Sequence, residues 1–148
     1  MRSSEFGVRS AEWQRVTTAA KLDNTEQKMS NENLKLRTKK FGLAVIKFFQ
    51  GLPKNETGRI LGRQLLRSGT SVGANYRAAC RAKSTADFIS KMGTVEEEAD
   101  ESGYWLELLV EDSQVATAKA APLTKKAYEL VAIVVSSINT ARKSGGRE

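Results

Sequence analysis

The stretch TGRILGRQLLRSGTSVGANYRAACRAK, Thr57–Lys83, decides how the rest of the chain is read. At about 100° per residue, Leu61, Leu65, Ser68, Val72, Asn75, Tyr76 and Ala79 fall on or beside one face. Arg59, Arg63, Arg67, Arg77 and Arg81 fall on the opposite side, with only Thr70 and Ala74 between them. That is an amphipathic helix, capped by Asn55 or Thr57 and running to about Lys83. A second strip, Gly58, Gly62, Gly69 and Gly73, lies beside the apolar face. Each glycine costs about 1 kcal/mol relative to alanine inside a helix. The strip therefore predicts close approach of a neighbouring backbone, the alternative being a kinked or broken helix. Cys80 lies near it as a small packing residue.

Three more helices flank this one. Upstream, Phe41, Ala44, Val45, Phe48, Phe49 and Leu52 recur on one helical face, predicting a helix over about 34–50 that Gly51 and Pro53 stop. Downstream, Ser84 with Asp87 three residues on resembles a capping box. It starts a helix with the core series Phe88, Met92, Val95, Ala99, Ser102, Leu106 and Leu109, ended by Asp112 and Ser113. A fourth helix is expected from near Pro122, a good first-turn residue, with Leu123, Ala127, Leu130, Val131, Val134 and Ile138 inward. Four amphipathic helices with short connections predict an all-α, antiparallel up-and-down four-helix bundle over 34–143. Residues 1–33 show no sustained period and read as a flexible extension, and 144–148 as a disordered tail. Met29 is an alternative start that would make 1–28 an upstream extension.

Charge is unevenly placed along the 148 residues, whose formal net charge is +7. Residues 34–83 hold 12 basic residues and one acidic, and residues 84–118 hold one basic and 9 acidic. Each sign can meet the other inside the fold, leaving surplus positive charge for a partner. There is no histidine and only one cysteine. An intramolecular disulfide, the common zinc sites and histidine-based triads are excluded. No window approaches the roughly 18 apolar residues of a membrane span, so no membrane partner is expected. A lone thiol without an apolar leader predicts the reducing cytoplasm.

Several groups invite chemistry. Ser68, Ser71 and Asn75 lie on or beside the core face, where a nucleophile would need a base and an orienting group. Neither histidine nor lysine accompanies them, so they read as a hydrogen-bonded polar core. Glu96, Glu97, Glu98, Asp100 and Glu101 point around their helix instead of to one point, so no metal is expected. Across an antiparallel pair of helices, Arg67 lies level with Glu97, Asp100 and Glu101, and Arg63 with Glu101 and Tyr104, predicting ion pairs within or between subunits that neutralise part of the stripe. Further on, Tyr104, Trp105, Leu106, Leu108, Leu109 and Val110 make the third helix apolar nearly all round. One core cannot take Trp105 and Leu108 together with Leu106 and Leu109. A second buried contact follows, with Tyr104, Trp105 and Leu108 as an oligomer interface or as a fringe under a loop.

The run Gln64–Arg77, with the preceding Leu52-Pro53 and the later Phe88, Glu97–Glu101 and Tyr104–Leu108, resembles the bacterial four-helix-bundle family of 23S rRNA intervening-sequence or S23 ribosomal proteins. The likeness spans about 36–142. Many members carry Glu-Gly shortly after the asparagine, where this chain has Arg77-Ala78-Ala79. The resemblance implies a ring-shaped homo-oligomer, typically a pentamer. A related branch, the accessory variability proteins of diversity-generating retroelements, implies nucleic acid and a reverse transcriptase as partners.

Together these readings predict a non-enzymatic oligomeric adaptor, without cofactor, that holds nucleic acid, RNA first. Lys39, Lys40, Arg59, Arg63, Arg77, Arg81 and Lys83 are the expected phosphate contacts. The alternative is a protein-interaction module that docks a partner on the apolar end of the third helix, with the arginines serving only ion pairs.

Overall fold

A computed structural model describes residues 31–145. The chain divides into two units, Met1–Leu34 and Lys35–Glu148. The described part of the first, 31–34, is helical. Of the extension expected over 1–33 and the tail expected over 144–148, residues 1–30 and 146–148 lie outside the described residues, and 31–33 are helical instead of flexible. In the second unit, helix α1 covers 35–50, followed by α2 (Glu56–Cys80), α3 (Thr85–Glu111) and α4 (Thr117–Gly145). The described residues are all helix and connection, with no strand.

Successive helices run antiparallel. Thr38 meets Gly73 and Phe49 meets Gly62 across α1 and α2. Ser68 meets Ser102 across α2 and α3, and Glu107 meets Tyr128 across α3 and α4. Arg37 of α1 reaches Glu129 of α4 at 3.6 Å, which closes the four-helix arrangement. The core is the set of inward faces: Phe41 and Val45; Leu65, Val72 and Tyr76; Met92, Val95, Leu106 and Leu109; Ala127, Leu130 and Val134, all at most 2 % exposed. Burying side chains of this size, at about 1.5–3 kcal/mol each, makes one helix face the inner one.

The ends follow local chemistry. Asn55 caps α2, its side-chain oxygen accepting from the Gly58 N–H at 2.8 Å. The helix stops at Cys80, earlier than the expected Lys83, because the Lys83 N–H donates to the Asp87 carboxylate instead. Ser84 accepts from the Asp87 N–H at 3.0 Å, and Lys91 donates to Asp87 at 2.6 Å. Those two donors, Lys91 first and then the Lys83 backbone, hold the Asp87 carboxyl below its ordinary value. After α3, Ser113 adopts a left-handed conformation at φ 58°. The Ser113 and Gln114 N–H groups donate back to the carbonyls of Val110 and Leu109, at 3.0 and 2.9 Å, in a Schellman motif.

Two expected bounds are corrected. α4 begins at Thr117, not near Pro122, so the proline lies inside the helix. The segment Thr117–Ala121 is rich in alanine, the best helix former, and Ala120 is 1 % exposed, so burial extends the helix upstream. At the other end Ser144 and Gly145 are helical, not tail. Ser144 donates to the Thr140 carbonyl, and Gly145 rests against Thr85.

α2 is a single unbroken helix, and its glycine strip meets α1 and the α1–α2 connection. A Cβ on Gly69 would lie 2.6 Å from a Val45 methyl, and one on Gly58 would lie 2.5 Å from the Pro53 carbonyl oxygen. The strip is a close approach and not a break.

Candidate functional site

The arginine stripe is one surface in sequence but three environments in the fold. Arg67 leans toward α3 and pairs with Glu98, at 3.3 Å, and with Glu101. Its guanidinium is held above its ordinary value, chiefly by the Glu101 hydrogen bond and then by the Glu98 charge. The partners are Glu98 and Glu101, and not Glu97 or Asp100. Height along the helix is similar for all four, but phase differs. Glu98 and Glu101 sit one position before the core residues Ala99 and Ser102, on the side facing α2. Asp100 turns toward α4, where its charge acts on Tyr128, and Glu97 is exposed.

Arg77 and Arg81 turn the other way. With Lys35 and Lys39 they line an open groove of about 500 Å³ between α1 and α2. Its other lining includes Thr38, Gly42, Gly73 and Ala74, where the backbones come close, and the aliphatic Leu43 and Ile46. The groove therefore has a cationic end and an apolar end. Arg59 and Arg63 stay outward and exposed near the start of α2. None of Arg59, Arg63, Arg77 and Arg81 forms an ion pair among the described residues.

Lys39 and Lys40, adjacent in sequence, part company. Lys40 lines a smaller cleft between α1 and α4 with Arg37, Lys126 and Glu129. Lys83 is exposed in the α2–α3 connection. The structure thus places Lys39, Arg77 and Arg81 together and leaves Lys40 and Lys83 apart from them. Sequence reasoning missed Leu43 and Ile46. Their signal was present, as two apolar residues off the main α1 face at spacing three.

The polar residues of α2 also divide. Ser68 is fully buried; its hydroxyl lies 3.2 Å from the Leu65 carbonyl and 3.0 Å from Ser102 Oγ. Ser102 Oγ lies 2.8 Å from the Glu98 carbonyl. Both hydroxyls are committed to helix backbones and to each other. Ser71 and Asn75 are only partly covered and bond their own helix, to the carbonyls of Arg67 and Ser71.

At the far end of α3, Trp105 is half-buried and donates Nε1 to Glu101 at 3.1 Å. Glu101 so joins Arg67 and the indole. Tyr104 packs edge-on against Trp105, with ring centroids 5.1 Å apart, and is itself 50 % exposed. Leu108 is half-buried. By the Ser68–Ser102 register, Ile60 of α2, 52 % exposed, lies level with this end. On the opposite side of α3, Tyr128 donates to Glu107 at 2.6 Å beside Gly103. Burial, then the Glu107 bond, pushes its phenol up to about 12.

Among the described residues no three His, Cys, Asp or Glu side chains converge as a metal site, and no helix is long and apolar enough to cross a membrane.

Comparison with known proteins places this geometry. The family model described as 23S rRNA-intervening sequence protein matches residues 32–136. A solved structure from Bacteroides thetaiotaomicron VPI-5482, described as a protein with unknown function from the S23 ribosomal protein family, is 32% identical. It aligns over 71% of this chain and 97% of its own, with a TM-score of 0.67. No curated protein matches.

Proposed function

The chain belongs to the 23S rRNA-intervening sequence protein family, and from that membership and its charge layout we propose a non-enzymatic oligomeric adaptor that binds nucleic acid, RNA first, in the cytoplasm. One observation carries the reading. Of five arginines along α2, α3 engages only Arg67, and Arg59, Arg63, Arg77 and Arg81 remain exposed, the first two outward near the start of α2 and the last two beside α1. Exposed guanidinium groups at helical spacing suit bidentate contact with phosphate. The buried serines support a role without catalysis, since their hydroxyls are tied to backbone carbonyls and no general base stands beside them. We further propose that Tyr104, Trp105 and Leu108 bury against another copy in a ring, as the family likeness implies, with Lys39, Lys40 and Lys83 adding to the positive exterior.

The test is filter binding to RNA across about 50–200 mM salt, where affinity must fall steeply with ionic strength. Charge reversal at Arg59 and Arg63 should abolish binding and leave the native mass unchanged. Affinity indifferent to salt would overturn the reading.

Half-exposed Tyr104 and Ile60 favour a second reading, a protein-docking module. Under it the same charge reversal disrupts assembly, and the chain binds no nucleic acid.

A further inference from the structure

Resting on the nucleic-acid reading above, we propose that the arginine face of α2 grips a double-helical backbone at two points and is not built for a single strand. The arginines without an ion pair among the described residues form two pairs, Arg59 with Arg63 and Arg77 with Arg81, each at spacing four and in the same helical phase, the second pair also rimming the α1–α2 groove. Between Arg63 and Arg77 the helix advances about 21 Å, at about 1.5 Å per residue. That interval is bare. Arg67, half-exposed, is neutralised by Glu98 and Glu101, and Thr70 and Ala74, on the lining of the α1–α2 groove, have short side chains. α2 is continuous through the interval, so the two pairs are held on one rigid rod.

A duplex presents phosphates at set positions. A straight rod laid along it meets one strand, crosses a groove and meets the other strand. On B-form DNA the bare interval exceeds the major-groove width of about 12 Å and falls short of a full turn of about 34 Å; on A-form RNA the wide, shallow minor groove is the one that separates the two accessible strands. Each pair therefore reaches one bank of a single groove. A single strand is usually held differently, by a continuous basic track with aromatic platforms for its bases. This face has neither. Tyr76 is buried, Tyr104 and Trp105 belong to α3, and the apolar lining beside Arg77 is the aliphatic pair Leu43 and Ile46.

The test uses the full chain with hairpin-closed RNA and DNA duplexes of about 12 and about 6 base pairs, together with the matching single strands, at fixed salt. Six pairs span about 20 Å, too short to engage both clusters fully. The longer duplex should bind at least tenfold more tightly than its strands or the shorter duplex. R59E/R63E and R77E/R81E should each lose at least tenfold and flatten the salt dependence, with helix content and native mass unchanged. A preference for either RNA or DNA duplex supports the proposal and identifies the source of the backbone. Equal or tighter binding of the single strand, or equal binding of both duplex lengths, overturns the two-point grip and leaves the nucleic-acid reading standing. Salt-insensitive binding, or no binding to any of these probes, overturns both.

Discussion

The α1–α2 seam and the α3–α4 seam are made of opposite materials. Across the first, glycines of α2 let the helices close until a methyl of Val45 lies where a Gly69 Cβ would be. Across the second, Gly103 receives the Tyr128 ring just as closely, at 2.6 Å from where its Cβ would stand. An open, mainly apolar trough of about 460 Å³ remains there, lined by Leu106, Val110, Ala120 and Thr124. The outer edges differ as well. The first seam is rimmed by Lys35, Lys39, Arg77 and Arg81, and the second by Glu107, Glu111 and Lys125. The glycine strip of α2 and surplus positive charge thus coincide on one side of the bundle. The glycine strip sets how near the lysines of α1 come to the arginines of α2.

Substitution at Gly69 is the harshest way to break that contrast. Gly69→Ala should cost about 1–3 kcal/mol through overpacking, of which helix propensity returns at most about 1 kcal/mol. Val45 is β-branched and cannot swing aside. Adding Val45→Ala should recover part of the loss, a coupling that urea denaturation of the double-mutant cycle would reveal. In α3, a Cβ on Gly93 would meet nothing within 4 Å. Gly93→Ala should stabilise by about 1 kcal/mol; a loss in the same experiment would show that the glycines of the two helices are not distinguished by their surroundings.

The connection between α3 and α4 offers a smaller effect. Ser113 sits in the left-handed region, which disfavours any residue with a Cβ. Ser113→Gly should raise stability by about 0.5–1 kcal/mol, measured as a higher midpoint without change in slope.

The weakest expected effect is confined to alkali. Tyr128 has a folded pKa of about 12, above the usual value of 10.0. Its contribution to stability is full below about pH 10 and is lost as pH rises through 12, because the unfolded phenol ionises first. In an ultraviolet titration, Tyr128→Phe should remove one phenol from the late-ionising amplitude. Glu107→Gln should move that ionisation earlier, since the carboxylate accepts from the neutral phenol and repels the ionised one.

Helix faces were legible because burial imposes a period on the sequence. Leu65, Val72 and Tyr76 of α2, and Met92, Val95, Leu106 and Leu109 of α3, declare their inner faces by spacing alone. Ser84 announced its cap, and Asn55 was one of two candidates with Thr57, since a short polar side chain before an apolar period has one favourable use there. Pro122 misled because its missing N–H marks a helix start only when nothing upstream is buried, and Ala120 is. The site was legible in composition and only partly in arrangement. Antiparallel register singled out Arg67 and Glu101, but it offered Glu97 and Asp100 where Glu98 is the second partner. Helical phase on a second element, one position before Ala99 and Ser102, assigns Arg67 to Glu98 and Glu101.

Taken alone, then, the sequence determined four amphipathic helices, their order, their inward faces and the positive surplus of the first two, because each is a property of residues close together along the chain. Tertiary structure decided which arginines are consumed by α3, that Lys39 and Lys40 face different clefts, and that Leu43 and Ile46 wall a groove beside Arg77. Those outcomes depend on the rotation and separation of packed helices, which glycine contacts such as Gly69 on Val45 set and which no single helix encodes.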